Sequence, residues 1–110
     1  MVKSSSPFGG QTRTRVLLAL HLLGESYARE LARVLETTLS GVQKALRSLE
    51  LDGLVAGRPP GRTRVYQLEP RYFAFDAFRA LLRRLSEPES ELRDRVGALR
   101  RRPRRTGKPL

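Results

Sequence analysis

The 110 residues include no cysteine and one histidine, His21, which excludes disulfides and thiolate metal sites and leaves too few nitrogen ligands for a histidine cage within one chain. Lys and Arg number 22 against 11 Asp and Glu, a formal net charge of +11 that favours a polyanionic partner, nucleic acid before membrane. The length suits one domain with a modest core, and residues 93–110 alone hold +7 of the charge, so much of the basicity belongs to a tail.

Residues 1–11 open with MVKSSSPFGG and read as a flexible arm, because Ser, Pro and Gly offer no apolar face. A helix is predicted over 12–23, apolar on most of its circumference, with Gly24 as its stop. Its run VLLALHLL is far shorter than the roughly 20 apolar residues that span a bilayer. No small-x-small cleavage site follows Arg13 and Arg15, so the segment is expected to be a buried helix and not a signal peptide.

Ala28, Leu31, Ala32 and Leu35 fall at i, i+3, i+4 and i+7, predicting an amphipathic helix over 27–35. Glu36 and Thr37 make a short link, and Thr38 is a suitable N-cap for a third helix over 39–52 that Gly53 ends. That helix has an apolar stripe of Leu39, Val42, Leu46 and Leu49, with Ala45 beside it. Its other face opens with Ser40, Gly41, Gln43, Lys44 and Arg47.

The period then changes. LVAGR and TRVYQL flank PPG, with Pro60 and Gly61 in the order a type II turn prefers, so a β-hairpin is predicted over 54–58 and 63–68. Arg58, Arg62 and Arg64 lie on or beside its tip. After Pro70 a fourth helix carries Ala74, Phe78, Leu81, Leu82 and Leu85 on one side, with Phe75 close by, and ends before Pro88. Gly97 weakens a short helix suggested by 89–99, and RRRPRRTGKPL, from Arg100 onward, has no hydrophobic face and is expected to be disordered by itself.

Two helices joined by a short link and followed by a hairpin with a basic tip point to a winged helix-turn-helix. The fold is then mainly α with a small β-hairpin wing, in the order α-α-α-β-β-α plus a C-terminal helix or tail. The string YARELARVLETTLSGVQKALRSLELDGLV, followed by GRTRVYQL, resembles the winged-helix transcriptional regulators of the ArsR and MarR type. The likeness rests on Arg29, Glu30, Leu31 and Ala32, then Val42, Leu46, Leu49, Glu50, Gly53, Leu54 and Val55, then Arg64, Tyr66 and Leu68. FGGQTRTRVLLAL is also similar to the start of small prokaryotic winged-helix proteins, some of which occur beside or fused to nucleotidyltransferase-like domains.

The resemblance implies a sequence-specific regulator of double-stranded DNA in a prokaryotic cytoplasm, a dimeric repressor that blocks promoter access. Residues 12–70 would form the DNA-binding domain, 71–87 a dimerisation helix, and 88–110 a basic tail that adds sequence-independent phosphate attraction. The recognition helix would enter the major groove after its Thr38 cap, with Ser40 and Gly41 permitting close approach. Gln43 would pair with adenine and Lys44 or Arg47 with guanine, each good bidentate contact worth about 1–3 kcal/mol of discrimination. Arg58, Arg62 and Arg64 in the wing would meet the minor groove or the backbone. Phe75, Phe78, Leu81, Leu82 and Leu85 would form the dimer interface, setting two recognition helices about 34 Å apart over a palindrome.

Neither an enzyme nor a cofactor site is expected. The lone His21 lies inside an apolar helix and cannot serve a Ser-His-Asp arrangement, and the TGK of 106–108 lacks the strand and helix of a phosphate loop. Glu87, Glu89 and Glu91, with Pro88 among them, read as a solvated linker. Metal sensing, common in ArsR-type proteins, finds no cysteines or histidine cluster here, and no effector is assigned. Glu36 stands where Gly is common in the motif. Two alternatives stay open: a winged-helix module that docks a protein such as a nucleotidyltransferase-like partner, and non-specific nucleic-acid binding through the tail.

Overall fold

A computed structural model describes residues 7–58 and 64–101, the Arg101 side chain excepted. Among them the chain forms five helices and a small antiparallel sheet. In order these are α1 (Gln11–Leu23), β1 (Glu25–Ser26), α2 (Ala28–Leu35), α3 (Leu39–Leu51), β2 (Val55–Arg58), β3 (Val65–Leu68), α4 (Phe75–Ser86) and α5 (Ser90–Arg101). None of these helices is long and apolar enough to cross a membrane.

The central element is α1. Val16, Leu17, Leu18, Ala19 and Leu20 are all buried, which requires neighbours on nearly every side, and α2, α3, α4, α5 and β3 supply them. The helix stops at Gly24, whose backbone has φ 90°, a conformation that favours glycine; its N–H donates to the Leu20 carbonyl at 2.8 Å. Side chains from later in the chain complete this end: Arg100 donates to the carbonyls of Leu22 and Leu23 at 2.8 and 3.0 Å, a cation placed against the negative end of the α1 dipole.

Helices α2 and α3 end in the same hydrogen-bond pattern with different residues. In α2, Glu36 N–H donates to Arg33 O and Thr37 N–H to Ala32 O; in α3, Gly53 N–H donates to Glu50 O and Leu54 N–H to Leu49 O. Both are Schellman closures, which need a left-handed residue. Gly53 supplies it at φ 79°, whereas Glu36 adopts φ 54° at a cost of about 1–2 kcal/mol for a side-chain-bearing residue. Glu36 is the sole non-glycine at positive φ among the described residues, so glutamate here takes the backbone conformation that glycine would.

The sheet has the order β1-β3-β2. Val55 to Arg58 run opposite Leu68 to Val65, the hairpin expected from the sequence, and Glu25 and Ser26 pair with Gln67 and Tyr66 on the other edge of β3. Tyr66 and Leu68 point inward while Val65 and Gln67 are half-buried, the alternation of a strand with one packed face. Pro60, Gly61 and Arg62 lie outside the described residues.

Two expectations are corrected at the C-terminal end. Phe78 and Leu82, assigned to a dimer interface, are buried within the chain's own core, where Phe78 meets Phe8 and Tyr72 edge to face at 5.8 and 5.5 Å. Of the expected interface Leu81 is 43% exposed, and Phe75 and Leu85 are partly buried against the core. The short helix suggested by 89–99 is present and runs over 90–101, where the domain division expected a basic, partly disordered tail: Leu92 and Val96 are buried at i, i+4 with Leu99 packed beside them, and Arg95 donates to the Val34 carbonyl at 2.6 Å. The favourable burial of that stripe outweighs the cost of Gly97 in the helix. Residues 102–110 lie outside the described part.

Candidate nucleic-acid interface

The start of α3 is built by its cap. The Thr38 side chain accepts from the Gly41 N–H at 3.1 Å, satisfying one of the four donors a helix leaves free at that end. A Cβ at residue 41 would lie 2.9 Å from the same Thr38 Oγ1, so a side chain there would require the cap to shift. The expected role of Gly41 in close approach to a groove therefore has a local structural reason beside it.

Beyond the cap, Val42, Ala45, Leu46 and Leu49 are buried and hold the helix by one side. Ser40, Gln43, Lys44 and Arg47 are exposed on the other. The far end is tied to α1: Arg13 donates to Ser48 Oγ at 2.6 Å and to Asp52 Oδ2 at 2.7 Å, and its Nε reaches the Phe8 carbonyl. Asp52 is thus one anchor of α3 on the central helix.

The two described hairpin arginines, Arg58 and Arg64, are committed within the chain. Arg64 pairs with Glu50 of α3 at 2.8 Å, and Arg58 pairs with Glu25 of β1 at 3.1 Å, both largely in solvent. Arg64 also lies over the Tyr66 ring, 5.6 Å from its centroid. Tyr66 first and Glu50 second raise its pKa above the ordinary arginine value, so the side chain remains a cation. Gly57 makes room for this fold-back, since a Cβ there would lie 2.5 Å from Arg64 Nη2 and 2.9 Å from Glu50 Oε2. Exposed pairs of this kind hold weakly and can be exchanged for another anion.

Between α2, α3 and β3 runs an open groove of about 500 Å³. Arg29 and Arg33 line one side, Gln43 the other, with Arg64, Tyr27 and Tyr66 along the floor and end. Glu30 also borders it, its carboxylate accepting from Ser26 Oγ at 2.6 Å. From the sequence Arg29 entered only as part of the family likeness and not as a binding residue, and Arg33 and Tyr27 were not singled out. The signal available was the i, i+4 pair of arginines opposite the apolar stripe of α2, which reads as ordinary solvation until α3 is seen packed alongside.

No protein-family model, curated protein or solved structure matches the chain.

Most of the uncommitted cations lie on this side of the molecule. Among the described residues, Arg13, Arg58, Arg64, Arg71, Arg84 and Arg95 form ion pairs, and Arg15, Arg93 and Arg100 donate to carbonyls. The side chains of Arg29, Arg33, Lys44 and Arg47 do neither, nor do those of Arg79 and Arg83 on α4; Arg29 and Arg33 line the groove, and Lys44 and Arg47 are exposed on α3 beside it. Surface cations without internal partners keep their full capacity to neutralise phosphate. The described residues contain no cluster of three or more His, Asp or Glu side chains that could hold a metal ion.

Proposed function

We propose that the chain is a winged helix-turn-helix protein that binds double-stranded DNA sequence-specifically and regulates transcription by occupying a promoter. In this reading α2 and α3 are the helix-turn-helix, α3 enters the major groove, and the β2–β3 hairpin is the wing. The single observation that carries it is the set of exposed, unpaired cations on two adjacent helices, Arg29 and Arg33 lining the groove with Gln43, and Lys44 and Arg47 on the exposed side of α3.

The chemistry divides by position. Gln43 presents a donor and an acceptor that match an adenine edge, and Lys44 or Arg47 donates to guanine O6 and N7. Arg29 and Arg33, one helix away, neutralise backbone phosphates and set the register of α3 without choosing bases. Arg58 and Arg64 exchange Glu25 and Glu50 for phosphate when the duplex arrives.

Each chain is read as binding one half-site, and the expected two-fold contact is a separate point: Phe78 and Leu82 are buried within the chain, while Phe73 and Leu81 are 92% and 43% exposed beside partly buried Phe75 and Leu85, an apolar patch open to a second copy. Selection of binding sites from a random duplex pool at about physiological salt tests both points. The expected result is one enriched half-site, lost when Gln43, Lys44 and Arg47 are replaced by Ala. An enriched palindrome with half-sites about one turn apart would support the dimer. Uniform, steeply salt-sensitive retention with no enriched site would overturn sequence-specific binding.

A further inference from the structure

Two other arginines share the uncommitted state, far along the chain from α3. Arg79 and Arg83 of α4 form neither an ion pair nor a side-chain hydrogen bond among the described residues, although Arg79 lies over the Phe75 ring at 5.6 Å. They line a small concavity of about 180 Å³ with His21 of α1, and Asp76 and Ala80 complete its wall. These residues belong to α1 and α4 alone, whereas the groove described above is lined by other segments, so the two basic sites share no side chain.

Packing a half-buried histidine beside two unpaired guanidinium groups is unfavourable for a protonated imidazole unless an anion joins them. The His21 pKa is indeed held below its ordinary value, by burial first and then by Arg79 and Arg83. On the other packed elements, Arg100 of α5 donates to the Leu22 and Leu23 carbonyls and keeps its positive charge, and Glu25 of β1 is paired with Arg58. Asp76 supplies one negative charge to the wall and forms no ion pair among the described residues. Its charge offsets one arginine, leaving a net positive cavity. The volume is below the roughly 300 Å³ at which cofactor pockets begin, which limits the occupant to a compact group.

We propose that His21, Arg79 and Arg83 form a second site, which binds a small phosphate oxyanion, either inorganic phosphate or the terminal group of a phosphomonoester. The two guanidinium forks supply charge-assisted donors to separate oxygens, and His21 adds a third donor when protonated. Binding is therefore coupled to proton uptake at His21 and tightens as pH falls through that group's pKa. Asp76 opposes the anion and weakens the site.

His21 is the one histidine in the chain, so its ring resonances report the site without assignment ambiguity. The full-length protein is titrated by NMR in chloride and then, at matched ionic strength, in inorganic phosphate or phenyl phosphate. An oxyanion at contact distance should raise the His21 pKa by about one unit, which by linkage is a tenfold tighter affinity for phosphate below that pKa than above it. Arg79→Gln with Arg83→Gln should abolish the rise, and Asp76→Asn should enlarge it; all three positions are exposed, so the fold is retained. An unchanged His21 pKa in both phosphate arms overturns the proposal. So does a shift produced by duplex DNA alone, which would assign the cluster to a second backbone contact. Neither result depends on whether α3 reads bases.

Discussion

Replacing Leu92 by Ala tests whether the segment that composition marks as a tail carries part of the core. Leu92 is 1% exposed and packs in one cluster with Val96 and the α1 leucines. Truncating a buried leucine costs about 2–5 kcal/mol, the spread depending on how far the surroundings collapse into the space left. Since α5 is peripheral, adjoining α1 and α2, it can move inward on truncation, and we expect the lower part of the range, about 2–3 kcal/mol. A domain of this size is stable by roughly 5–15 kcal/mol, so the variant remains folded at room temperature. Its melting temperature should fall by about 10–20 °C, at roughly 4–8 °C per kcal/mol. Urea unfolding followed by far-ultraviolet circular dichroism measures the loss directly, with the slope against denaturant unchanged if both end states are preserved. A solvated tail predicts a change within about 0.5 kcal/mol, as for an ordinary surface substitution. That result would refute the docking of α5 and, with it, the role of Arg95 and Arg100 at the ends of α2 and α1.

Glu50→Gln should release Arg64 for phosphate, tightening DNA binding and steepening its dependence on salt by about one charge; an unchanged salt slope would show that the pair does not restrain the arginine. Glu36→Gly should raise stability by up to about 1 kcal/mol, because removing the left-handed strain outweighs the greater chain entropy of glycine, whereas Glu36→Val should lower it. Equal stability of the glycine and valine variants in urea would argue against that backbone conformation. Because the His21 pKa is lowered on folding, the unfolded chain takes up a proton at higher pH than the folded one. In phosphate-free buffer the stability present above pH 6.5 should therefore decline as the pH falls below it, and His21→Gln should lack that component when unfolding is compared at about pH 7.5 and 5.5.

Much of the helical framework was legible because its signals are local. The apolar spacing of Leu31 and Leu35, the Thr38 cap and the stops at Gly24 and Gly53 each act within one or two turns, and the helices follow them. The two-residue β1 was not legible: Glu25 and Ser26 carry no strand pattern and are extended because β3 offers an open edge beside them. Helix α5 was suggested over 89–99 but weakened by Gly97; what settles it is the surface on α1 and α2 that Leu92, Val96 and Leu99 find, which no window of local sequence displays.

The candidate interface divides along the same line. Periodicity and capping alone set Ser40, Gln43, Lys44 and Arg47 on the solvent side of α3, since burying Val42, Leu46 and Leu49 leaves them no other side. Which cations are available to a partner is a different kind of fact. Arg13 and Asp52, Arg64 and Glu50, Arg58 and Glu25 are separated by 39, 14 and 33 positions, and their pairing depends on how the helices and hairpin pack. Composition counts every arginine equally. Tertiary structure commits some of them to carboxylates and carbonyls within the chain and leaves Arg29 and Arg33 at the groove, Lys44 and Arg47 on the exposed side of α3, and Arg79 and Arg83 beside His21, because a charge is neutralised by what lies near it in space and not by what lies near it in sequence.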